Sequence, residues 1–205
     1  MQRADDGYFR HDGVGKMKID VVRVGYLQTN CYIVSAQDAR AVVIDPGDEA
    51  EKIAKYIDDN GITVEYIFIT HGHFDHIGAL AAIKEKTGAK VVINERDAEY
   101  IKFSPDILCK DSDEIKAAGL TFRVIQTPGH TKGGVCYLCE NAIFSGDTLF
   151  YESVGRTDLP NGDFGELCVS LKRLSLLAGE YDIYPGHGQS TTLSHEKKHN
   201  PFFIR

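Results

Sequence analysis

Thr70-His71-Gly72-His73-Phe74-Asp75-His76 is the stretch on which the reading of this chain turns. It follows directly on Val64 to Thr70, VEYIFIT, whose β-branched and aromatic residues read as a strand. In an extended loop, side chains two positions apart project to the same side, so His71 and His73 form a pair. Asp75 and His76 open the next helical segment and can turn toward a neighbouring point. One short segment can therefore serve two ions.

The same device recurs further along the chain. Thr127-Pro128-Gly129-His130, Ser145-Gly146-Asp147 and Tyr184-Pro185-Gly186-His187-Gly188 each place a metal-capable side chain beside a glycine after strand-like residues. Glycine lets the backbone bend sharply and approach closely. Of the eight histidines, five fall in these loops, and together with Asp75 and Asp147 they supply nitrogen and oxygen donors suited to zinc, iron or manganese. A single histidine after a strand is more often structural, and a single Gly-Asp is usually a turn. The set is hard to explain as turns. His11, His195 and His199 lie outside these motifs and read as surface residues.

Around these loops the chain alternates short β-rich runs with helical segments. KIDVVRV, NCYIVS and AVVID read as opening strands, stopped by Asp45-Pro46-Gly47. Asp48 reads as the N-cap of a helix ended by Gly61. A second helix is expected from Ile77 to Gly88, and a third, capped by Asn94, ending near Pro105. LTFRVIQT, GVCYLC, NAIF and YDIY read as later strands. A helix from Asp163 aligns Leu167, Leu171 and Leu174, and a last helix begins near Ser190. Each half runs strands first, then strand–helix alternation, the pattern of an α/β sandwich of two sheets covered outside by helices.

Composition narrows the function. The 205 residues suit one domain able to bury roughly 70% of its unfolded surface. The division expected is a polar leader over residues 1–16, disordered or non-native, and a single domain over 17–205. A net charge of −7, without a run of five like charges, disfavours non-specific nucleic-acid binding. Apolar stretches such as Ile77 to Ile83 fall far short of the roughly 18 residues of a membrane span. No secretory signal is legible, which implies a cytoplasmic location. The odd set of cysteines, Cys31, Cys109, Cys136, Cys139 and Cys168, suits a reducing compartment. Cys136 and Cys139 sit three apart in a strand, so they face opposite ways and cannot readily chelate one ion.

The H-x-H-x-D-H signature, with its separate His, Asp and His loops, resembles the metallo-β-lactamase superfamily from about Met17 to the C-terminus. That resemblance implies an αββα four-layer sandwich with two divalent cations, zinc first among them. It assigns His71, His73 and His130 to one ion and Asp75, His76 and His187 to the other, with Asp147 bridging and Asp45 orienting a ligand imidazole. The mechanism implied is attack by a water acidified between the ions, with Asp75 as the catalytic carboxylate that orients it and takes up a proton.

Asp147 stands where the best-known class of true β-lactamases has cysteine, and His73 where the flavo-diiron oxygen reductases have glutamate. FYESVGRTDLPNGD and the ending EKKHNPFF are similar to the short bacterial glyoxalase II-like hydrolases, which implies a small-molecule thioester such as a hydroxyacylglutathione. There Arg156 would bind a glutathione carboxylate; pairing with Asp158 is an equal alternative. The long helical substrate-binding region of glyoxalase II is missing. Two rivals stay open. Persulfide dioxygenases share G-R-T-D and hold one iron, here through His71, His130 and Asp147; tRNA 3′-processing nucleases share the metal motifs. Oligomeric state is not legible.

Overall fold

The computed structural model describes residues 8–12, 17–36 and 38–203. Among them, one sheet runs β1 (Tyr8–Asp12), β2 (Lys18–Val24), β3 (Thr29–Ser35), β4 (Arg40–Ile44), β5 (Thr63–Phe68), β6 (Lys90–Asn94) and β7 (Ile107–Cys109) in spatial order. Its first four strands are antiparallel neighbours, and β4 to β7 are parallel. The second sheet is built from β8 (Glu114–Ala117), β9 (Leu120–Gln126), β10 (Val135–Cys139), β11 (Ala142–Gly146), β14 (Asp182–Pro185) and β15 (Thr191–Thr192), ordered β15-β14-β11-β10-β9-β8. Between β11 and β14 the chain makes a small hairpin, β12 (Leu149–Phe150) with β13 (Ser153–Val154).

Alternation within each strand makes the layers. Ile19, Val21, Tyr32, Val34, Val42 and Ile44 meet Phe122, Val124, Tyr137 and Phe144 between the sheets. Their neighbours Val22, Ile33 and Val43 face the opposite way, onto α1 (Ala50–Asp59) and α3 (Leu80–Thr87) through Ile53, Ile57, Leu80 and Ile83. On the far side, Ile125, Cys136, Ile143 and Ile183 pack against Leu167, Leu171 and Leu174 of α4 (Phe164–Ser175) and Leu193 of α5 (Leu193–His199). This is the expected αββα sandwich.

Asp163 caps α4 as its sequence implies, its side chain accepting from Glu166 N. Other boundaries are corrected. The N-cap of α1 is Glu49, in the left-handed region at φ 48°, and its N donates to the Asp48 carboxylate. The helix expected from Ile77 splits into a short α2 (Phe74–Ile77) and α3. The helix expected after Asn94 is only a 3-10 turn over Ala98–Tyr100, since Asn94 accepts from Arg96 N and donates to Cys109 O. Within the leader, Tyr8–Asp12 pairs as an edge strand on β2, while residues 1–7 and 13–16 lie outside the described residues. No helix among the described residues is long and apolar enough to cross a membrane.

Strand direction decides where chemistry gathers. In one sheet β4 and β5 run parallel; in the other, β11 is parallel to β14 and antiparallel to β10, which is antiparallel to β9. The C-terminal ends of β4, β5, β9, β11 and β14 therefore open along one edge of the sandwich, and Val135 N donating to Thr70 O stitches the two sheets there.

Candidate metal centre

Each expected ligand comes from a loop at that edge. His71 and His73 follow β5, Asp75 and His76 lie on α2, His130 lies between β9 and β10, Asp147 follows β11, and His187 follows β14. The side chains converge in two overlapping groups. His73 Nδ1 lies 2.9 Å from His130 Nε2, with the His71 ring beside both at 4.9 and 4.8 Å between centroids. His76 Nε2 lies 3.3 Å from His187 Nε2 and 3.6 Å from Asp75 Oδ2, which is 3.2 Å from His187 Nε2. Asp147 spans the groups: its Oδ1 is 3.4 Å from His76 Nε2, and its Oδ2 is 3.6 Å from His130 Nε2 and 3.5 Å from His187 Nε2. All seven expected residues meet.

Four of the five rings are oriented from behind. His130 Nδ1 donates to Arg156 O at 2.7 Å and His187 Nδ1 to Leu27 O at 3.1 Å. His76 Nδ1 donates to Asp45 Oδ2 at 3.0 Å. Thr70 Oγ1 donates to Asp45 Oδ2 at 2.6 Å and so accepts from His71 Nδ1 at 3.1 Å. Carbonyl and carboxylate oxygens only accept, so these contacts occupy Nδ1 of His71, His76, His130 and His187 and turn their Nε2 atoms inward, whereas His73 presents its Nδ1 to the cluster. Asp45 Oδ2 thus accepts from both Thr70 and His76, and the residue sits at φ 52°, a conformation that aspartate tolerates better than most residues.

This donor set fits a divalent cation. His71 Nε2 and Asp147 Oδ1 are buried and make no hydrogen bond, although buried polar atoms are ordinarily satisfied. Imidazole nitrogens facing one another at 2.9 and 3.3 Å share a single proton at best; a cation between them satisfies both. Space is kept for close approach: a Cβ on Gly186 would fall 2.3 Å from Asp147 Oδ1, and one on Gly155 would fall 1.8 Å from Asp147 O.

The electrostatics of the cluster favour positive charge beside its carboxylates. Burial lowers the pKa of His71 well below its usual value, and the imidazoles of His76, His130 and His73 lower it further. Burial also works against a proton on His76, but Asp147 and Asp45 outweigh it and hold its pKa well above normal. For Asp75, burial raises the pKa, yet the His187 hydrogen bond and the His76 charge bring it to about 2. Asp147 behaves likewise, lowered by the surrounding imidazoles against its burial. The cluster thus keeps its carboxylates charged.

Asp45→Asn tests the positioning role. Asparagine also tolerates the left-handed backbone, so the fold should persist while one amide hydrogen opposes the donors on Thr70 or His76. Metal affinity, read by competition with a chelating dye, is expected to fall about tenfold. An unchanged affinity would remove Asp45 from the site.

Two features were not legible beforehand. Asp97, buried, accepts from Gly72 N at 2.9 Å, Thr131 Oγ1 at 2.7 Å and Gly133 N at 2.7 Å, tying the His71–His73 loop to the loop after His130. Glu196 on α5, also buried, accepts from Thr191 Oγ1, Glu152 N and Asn200 Nδ2, and Asn200 Nδ2 also donates to Ser153 O. The C-terminal helix thereby holds the segment that delivers Arg156 O to His130. Arg156 itself is exposed and pairs with Asp158 through two contacts of 2.7 Å, the alternative weighed from sequence, while still lining the cavity in front of the metal ligands. Cys136 and Cys139 do face opposite sides of β10, and burial holds their thiols at about 11 and about 12, against any chelating or redox role.

The profile of the Metallo-beta-lactamase superfamily matches residues 24–187. The hydroxyacylglutathione hydrolase GloC of Haemophilus influenzae is 33% identical over 207 residues, covering 91% of this chain and 98% of that protein. Among solved structures, BLEG-1 B3 metallo-beta-lactamase superposes with a TM-score of 0.88 at 32% identity, over 91% of this chain and 100% of that one. TTHA1623 in a di-iron-bound form superposes with a TM-score of 0.79 at 37% identity, over 89% of this chain and 98% of that one.

Proposed function

The chain belongs to the metallo-β-lactamase superfamily, and on that premise we propose that it is a dinuclear, zinc-dependent thioesterase acting on a small-molecule thioester. The observation that carries the reading is the pair of buried atoms without hydrogen bonds, His71 Nε2 and Asp147 Oδ1, set among inward-facing imidazoles. Likeness to GloC supplies the thioester, and the di-iron relative keeps iron as the alternative metal.

His71, His73 and His130 would hold one cation, Asp75, His76 and His187 the other, and Asp147 would contact both. When bound, such a pair supplies Lewis acidity and brings the pKa of a water from 15.7 toward about 7. Asp75 would orient the attacking water, a role supported by its charged carboxylate at the wall of a cavity of about 730 Å³. The same carboxylate can accept the water's proton as the acyl carbon is attacked, and pass it to the departing thiolate. Buried Thr70, Asp45 and Asp97 keep the donors in register, so little reorganisation accompanies the reaction.

The test is an assay of S-lactoylglutathione and a panel of acyl thioesters, lactones and a β-lactam, with protein stripped by chelator and then reloaded with zinc, iron or manganese. Thioester turnover that vanishes on stripping and returns with metal is expected. If no thioester is cleaved by any reloaded form, the assignment fails.

A further inference from the structure

The cavity in front of the ligands has a chemical character of its own. Its wall is made by Tyr26, Leu27, Phe74, Tyr100, Leu159 and Pro160, beside the metal-facing side chains. Three of these apolar groups stand out into solvent: Tyr26 is 81% exposed, Phe74 65% and Leu27 42%. Large apolar side chains gathered at the mouth of a site mark a place where something apolar is to be covered. The same three residues also form the shared wall of a second hollow of about 230 Å³, floored by Val24, Gly47 and Gly78, so the shelf continues away from the ligands.

Charge points the same way. Glutathione brings two carboxylates and one ammonium, a net negative charge, to any site that binds it. Among the described residues lining the two hollows, Arg156 is the one cationic side chain apart from the histidines, and its guanidinium is taken by Asp158 in a two-point contact. The smaller hollow is bordered by the Asp48 carboxylate, which repels an anionic end group.

We propose that this site selects substrates carrying an uncharged, apolar arm of several carbons, which lies across Tyr26, Leu27 and Phe74, in preference to substrates carried on glutathione. The inference rests on the thioesterase reading for its reacting bond, but the arm-binding shelf can be measured without turnover.

Calorimetric titration of the zinc-loaded full chain would compare non-hydrolysable thioethers on two carriers, S-methyl and S-hexyl forms of N-acetylcysteamine and of glutathione. Affinity is expected to rise about threefold for each added methylene on the uncharged carrier. The glutathione carrier should add nothing. Tyr26→Ser with Phe74→Ser, both at exposed positions, should flatten the dependence on chain length while leaving metal content unchanged. In parallel, acetyl to octanoyl N-acetylcysteamine thioesters, set against S-hexyl thioacetate, report by kcat/KM whether the arm sits on the acyl or the sulfur side. Length-dependent binding without turnover would sustain the shelf and defeat the thioesterase reading. Binding that ignores alkyl length, or that is tenfold tighter on glutathione, would overturn the proposal whether or not thioesters are cleaved.

Discussion

Asp147→Ala is expected to lower turnover by about 10³-fold, the scale of losing one preorganised electrostatic contact in a water-poor site. The reason is position. Asp147 faces His76, His130 and His187 at 3.4 to 3.6 Å, and its carboxylate is the group that reaches both clusters. Without it the two proposed sites would lose their common donor and the negative charge that would let two cations lie close together. Metal content by elemental analysis should therefore drop from about two ions per chain to about one. Asp147→Asn keeps the volume and removes the charge, so it separates loss of packing from loss of ligation: the same fall in metal content is expected with an unchanged melting temperature for the stripped protein. Full metal occupancy in the alanine variant would contradict a bridging role.

How much of this was readable in the chain follows from how local each signal is. The ligand loops are legible because several chemically specific residues share a few positions, each marked by a glycine that the geometry requires: a Cβ on Gly72, Gly129, Gly146 or Gly186 would fall 2.3 or 2.4 Å from an atom of Tyr100, Leu167, Thr70 or Asp147 respectively. The layers were legible because Val42 and Ile44 face one way while Ala41 and Val43 face the other. What escaped was long-range or spread over too few residues. Asp48 and Glu49 differ by one position, and the choice between them as cap depends on the Gly25 N to Glu49 Oε2 contact, made across 24 residues of chain. The strands Ile107–Cys109 and Glu114–Ala117 are too short for alternation to declare them. The charge of Arg156 draws attention in the sequence, whereas the G-R-T-D segment reaches the ligands through the Gly155 backbone and the Arg156 carbonyl.

Asp97 is the clearest such omission, and its removal should be the costliest change outside the ligands. It stands in Glu95-Arg96-Asp97-Ala98, which resembles an ordinary helix start, and none of its partners lies within 24 residues except those of its own turn. Replacement by alanine strands two buried backbone N–H groups and one hydroxyl. Each unsatisfied donor costs about 1–3 kcal/mol, partly relieved where water can enter, so a total of about 3–5 kcal/mol is expected. In a domain of this size that corresponds to a fall in Tm of about 10 °C, measured on the stripped protein so that metal linkage does not intrude. The loop carrying His71 and His73 should also lose its anchor to the loop after His130, weakening metal binding about tenfold or more. Asp97→Asn retains an acceptor but presents an amide hydrogen to one of the three donors, and should fall between the two. A melting temperature within about 2 °C of the parent, with metal affinity intact, would show that the two loops are held by other means and that Asp97 is an accessory of its own turn.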